Sequence, residues 1–105
     1  MDVITDRMVD NYLSGLVNKF FKILPMKETG EPSLNEYMSS LKIELSGCKD
    51  IVAKLDDDAM WLTLISILQY MTENECDVKV VKREVFKAIS LCKKMRATYA
   101  EKEGA

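Results

Sequence analysis

The sequence contains no histidine, so the commonest general base at neutral pH and a common metal ligand are both missing. Acids, lysines, tyrosines and thiols remain for chemistry, but nothing in the order of residues assembles them. There is no glycine-rich phosphate loop and no dinucleotide fingerprint, and the stretch GCKD is too short and too poor in glycine to serve as one. No Cys–His pair marks an activated thiolate, and the Glu-x-x-His ligand pairs of a di-iron bundle are absent. Separated carboxylates such as Glu44 and Glu84 are the only route left to an acid pair. The chain is therefore expected to lack catalytic activity, resident metal and cofactor.

Cysteine is sparse: Cys48, Cys76 and Cys92 stand far apart, with no Cys-x-x-Cys spacing. An odd, widely spaced set without histidine makes a poor zinc site and reads as free thiols. Cys48 and Cys92 fall on apolar stripes and pack as small hydrophobes. Cys76 falls in a turn and is the thiol expected to react first.

Proline and glycine number two and four, too few for a linker, so 1–105 is expected to form one domain. Apolar runs extend for only a few residues, against roughly 20 for a bilayer crossing. The opening MDVITDRMVDNY lacks the basic start and apolar centre of a secretory signal. A cytoplasmic protein without membrane attachment is the expectation.

What is present is amphipathic pattern. Apolar side chains make up 48% of the chain and charged ones 30%, a globular composition rather than a disordered one. Val9, Tyr12, Leu13, Leu16, Val17, Phe20 and Leu24 recur at mostly three- and four-residue spacing and predict a helix over about 6–24. Pro25 stops it, and Gly15 inside it is either a close crossing point or a tolerated weakness. After the turn-rich KETGEPS, Ser33 and Glu36 form the pattern of a capping box. A second helix then follows over about 34–55 through Leu34, Tyr37, Met38, Leu41, Leu45, Cys48, Val52 and Leu55. Gly47 is a weak point within it, and Ile43 lies nearly opposite the stripe.

The stretch LDDDAMWLTLISILQYM predicts a third helix over about 57–72. Asp56, Asp57 and Asp58 point about 100° apart on a helix, so capping explains them better than convergence on an ion. A fourth helix over about 78–100, capped by Asp77, buries Val78, Val81, Val85, Ile89, Cys92 and Tyr99, with Phe86 at its flank and a fraying tail beyond. Four such helices on short connections bury one another most simply as an all-α, up-down-up-down antiparallel four-helix bundle.

Two features are left over. The third helix is apolar nearly all round, broken only by Thr63, Ser66 and Gln69, so Trp61, Leu62 and Tyr70 form a candidate interface, most economically with another copy of the chain in a homodimer. Charge is also uneven: residues 1–75 carry seven basic and 13 acidic side chains, and residues 76–105 carry eight basic and four acidic. Lys79, Arg83, Lys87 and Lys94 share one side of the last helix, a candidate surface for an anionic partner. A solvated face, an acidic protein surface and nucleic-acid phosphate all fit that stripe. The missing recognition-helix signature and the acidic remainder of the chain disfavour nucleic acid. A small helical interaction, adaptor or accessory protein is the expected function, with a phosphate-contacting nucleic-acid accessory protein as the alternative.

Overall fold

The computed structural model describes residues 6–48, Ala53 and 58–104. Among the described residues the helices with defined bounds are α1 (Asp6–Phe21), α2 (Ile23–Glu28), α3 (Leu34–Ser46), α4 (Asp58–Glu73) and α5 (Val78–Gly104), and Ala53 is also helical. Since α1 and α2 are parted only by Lys22, they act as one bent rod, and the four rods make an all-α bundle without a strand among the described residues.

Side-chain contacts fix the direction of each rod. Tyr12 meets Glu44 while Lys19 meets Tyr37, so α3 runs back along α1. Trp61 reaches Leu45 at the α3–α4 end, and the Arg96–Asp10 and Phe86–Phe21 pairs set α5 antiparallel to α1. The α1–α5 and α3–α4 seams are the most extensive. The core follows the expected stripes: Val9, Leu13, Leu16 and Phe20 of α1 are fully buried, as are Leu64 and Leu68 of α4 and Val85 and Cys92 of α5. Each such side chain contributes roughly 1.5–3 kcal/mol by leaving water.

Pro25 does not end the first helical rod. Its ring would collide with the carbonyl four residues back, at Phe21. The chain accordingly bends at Lys22 and resumes as α2, with Pro25 in the first turn, where a missing N–H is tolerated. The rod ends instead at Gly30, whose φ of +69° lets its N–H reach the Lys27 carbonyl and the Glu31 N–H reach that of Met26. This paired closure needs a left-handed residue, for which glycine is the cheapest choice.

The expected capping box is not formed: the Ser33 hydroxyl donates to Glu31 (3.0 Å) rather than to the start of α3. Nor does α3 continue to residue 55. Gly47 is its C-cap, and the Leu45 carbonyl, which an uninterrupted helix would offer to residue 49, accepts from Trp61 Nε1 at 2.9 Å. Val52, Leu55, Asp56 and Asp57 lie outside the described residues, as does the side chain of Tyr99. Gly15 has open space where a Cβ would stand, so it serves no close crossing. At the head of α5, Asp77 Oδ1 accepts from the Val80 N–H at 2.9 Å, as a capping aspartate should. That helix runs on to Gly104. Val78 is exposed rather than buried, because it stands in the first turn, ahead of the point where the core stripe begins at Val81.

Candidate interaction surface

Lys79, Arg83, Lys87 and Lys94 are all exposed on the outer side of α5, as their spacing requires. Lys82 and Lys93, which the stripe reading omitted, are exposed too. At about 100° per residue they fall within the same outward arc, nearer α1. Between the two edges of the arc stands Phe86. Its ring meets that of Phe21 edge-on, with centroids 6.3 Å apart, and the two side chains are 42% and 50% exposed. Phe21 was missed because it lies one residue off the α1 stripe. An apolar residue displaced from its helix's stripe was the available signal.

The charges on this surface differ in freedom. Arg83 Nε donates to Glu84 Oε2 at 3.1 Å, and that hydrogen bond together with the carboxylate's charge raises the guanidinium's pKa further. Glu84 is a buried carboxylate at the root of the arc. Tyr70 also lies near enough to act on Arg83.

The proposed α4 interface is rearranged. Trp61 is 3% exposed and sits in the core, its ring 6.2 Å from that of Tyr12, so it cannot anchor a partner. Its position on the stripe and the Leu45 carbonyl at the end of α3 both draw it inward. Leu62 and Tyr70 remain 60% and 42% exposed, but eight residues turn the helix by about 80° beyond two full turns. Leu62 points directly away from the core and Tyr70 leans towards α5. The three residues do not make one patch. Ile43 is exposed on α3, opposite its stripe.

A polar cluster occupies the α1–α3 seam. Tyr12 and Lys19 both donate to Glu44 Oε2, each at 2.7 Å, and the Tyr37 hydroxyl donates to the Lys19 carbonyl at 2.9 Å. Burial pushes the Glu44 carboxyl up, but the hydrogen bonds from Lys19 and Tyr12 and the lysine's charge outweigh it and hold the group below its ordinary range. Burial, helped by Cys48 and Glu44, drives the Tyr12 hydroxyl far above its ordinary value. Glu84 lies elsewhere, beside Arg83 and within electrostatic reach of Cys76, so Glu44 and Glu84 do not form an acid pair.

The cysteines reverse the expected order of access. Cys76 does lie in the α4–α5 turn, yet it is buried, and desolvation raises its pKa. Cys92 is deeper, pushed up to about 12 by burial. Cys48 is the partly exposed one, 3.1 Å from the Tyr12 hydroxyl. No helix among the described residues is long and apolar enough to cross a membrane. No family model, curated protein or solved structure matches the chain.

Proposed function

We propose that this chain is a non-catalytic binding module, an intracellular adaptor or accessory protein, whose docking surface is the outer face of α5 with the Phe21–Phe86 pair. The observation that carries this reading is two half-exposed aromatic rings in edge contact within an arc of exposed lysines and an arginine. Aromatic rings gain most from desolvation at the centre of an interface, while surrounding charges orient the partner and speed encounter. The complementary occupant is an acidic protein segment that brings an apolar side chain to the rings. Three unpaired thiols suit a reducing compartment.

The test is titration of a labelled acidic peptide carrying phenylalanine or leucine, at low and near-physiological salt. Binding is expected to weaken with salt and to fall on Phe86→Ala and on Lys82→Glu with Lys87→Glu, all surface changes. Unchanged affinity in those variants would overturn the reading, and light scattering on the chain alone reports whether a second copy takes the surface instead. A second reading has its own support: cations flanking exposed rings also suit single-stranded nucleic acid, whose bases stack on aromatics. Labelled single strands and duplexes, titrated at the same two salt concentrations, separate the two. Tighter binding of strands than of acidic peptide, with a steep salt slope, would favour phosphate.

A further inference from the structure

We infer that the end of the bundle where the α2–α3 and α4–α5 connections meet is a second docking site, for a lysine- or arginine-rich peptide segment with an apolar anchor. It is separate from the α5 surface and opposite to it in charge. The two connections and the adjoining helix ends enclose an open cleft of about 850 Å³. That is room for a few side chains rather than a folded domain. Leu34, Met38, Met71 and Val81 line its apolar part. Two methionines there are apt, because an unbranched thioether side chain reshapes itself around whatever apolar group arrives.

The polar lining is lopsided. Glu31, Glu73, Glu75 and Asp77 stand around the cleft against Lys27 alone. Three carboxylates outside the cleft are paired with cations: Asp10 with Arg96, Glu44 with Lys19 and Glu84 with Arg83. None of the four cleft carboxylates is in such a pair. Glu31 and Glu73 accept only from the neutral Ser33 and Gln69, and Asp77 is used as a helix cap. Four exposed carboxylates against one lysine give the rim of the cleft a net negative charge, complementary to a cationic segment.

That partner is not a metal ion, since no three acids or thiols among the described residues come together as a metal site. Carboxylates spaced around a cleft suit cations spaced along a chain. A polyamine would meet the carboxylates but bring only methylenes to the methionines, whereas a peptide offers a bulky apolar side chain inward and ammonium or guanidinium groups to the rim. The geometry favours the peptide.

The probe is a short fluorescein-labelled peptide of alternating lysine and leucine, titrated into the full chain and followed by anisotropy. Saturable binding is expected, with the methyl signals of Met38 and Met71 shifting in a methionine-methyl-labelled sample. Glu73→Lys with Glu75→Lys should weaken binding by about tenfold or more. Both side chains are exposed, and far-UV circular dichroism verifies that the helices persist. Phe86→Ala should leave this binding unchanged, which separates its failure from that of the α5 surface. Equal binding by the charge-reversed variant, unmoved Met38 and Met71 signals, or spermidine binding as tightly as the peptide would each overturn the inference. So would a dimer that dissolves on charge reversal, because the cleft would then belong to a second copy.

Discussion

Trp61 Nε1 donates a 2.9 Å hydrogen bond to the carbonyl of Leu45, so the first turns of α4 close the last turn of α3. Helix ends leave carbonyls without intrahelical partners, and here a core side chain supplies one. Trp61→Phe keeps an aromatic ring and loses the donor, leaving Leu45, among the described residues, the longer contact from the Cys48 N–H at 3.3 Å. A loss of about 1–2 kcal/mol is expected, read as a lower urea midpoint by circular dichroism. An unchanged midpoint would mean that water replaces the indole at no cost.

Gly15 lies in the middle of α1 with nothing within 4 Å of a Cβ placed on it. Alanine there removes the backbone-entropy penalty without a clash. Gly15→Ala should stabilise the fold by about 0.5–1 kcal/mol, raising the melting temperature by a few degrees. A decrease would reveal a contact that the open space does not suggest.

The Glu44 carboxyl sits below its ordinary value of 4.5, so the folded state favours the ionised form more than the unfolded chain does. Its contribution to stability is fully present above that value and fades as pH falls through the lower folded-state value. Glu44→Gln should therefore be less stable than the parent at neutral pH, with the gap closing in acid. A constant difference between the two proteins across pH 3–7 in urea titrations would assign the effect to packing rather than to charge; the interval is chosen to span about the usual carboxylate range.

A thiol reagent at neutral pH should modify Cys48 first. Cys76 should follow slowly, and Cys92 only on unfolding, because burial raises both thiols and hides them. Mass spectrometry of partly labelled protein gives the order. Labelling of Cys76 ahead of Cys48 would show that the α4–α5 turn opens readily.

Helix type and the core faces were legible because burial imposes a period near 3.6, which Val9, Leu13, Leu16 and Phe20 or Leu64, Ile67, Leu68 and Met71 satisfy without knowledge of any neighbour. Helix ends were less so. Pro25 bends its rod rather than ending it, and α3 stops at Gly47, where the Leu45 carbonyl accepts from Trp61 sixteen residues further along the chain, a tertiary contact. Exposure of Leu62 and Tyr70 could be read from their angle to the stripe. The angle of about 80° between them could be read in the same way, whereas the hydrogen bond from Trp61 to Leu45 could not be read without the position of α3. The Phe21–Phe86 pair and the acidic cleft each join elements distant in the chain, so no local pattern announces them.

The pairing of α1 with α5 also bears on how the protein is made. Asp10 and Arg96 are 86 residues apart, and the apolar face of α1 finds its most extensive partner in α5, which is synthesised after all the other described helices. At translation rates of roughly 5–20 residues per second, that face waits on the order of ten seconds for its cover. During that interval the nascent chain exposes an amphipathic helix to whatever chaperone or neighbour is at hand, and the α1–α5 seam can close only once α5 clears the ribosome.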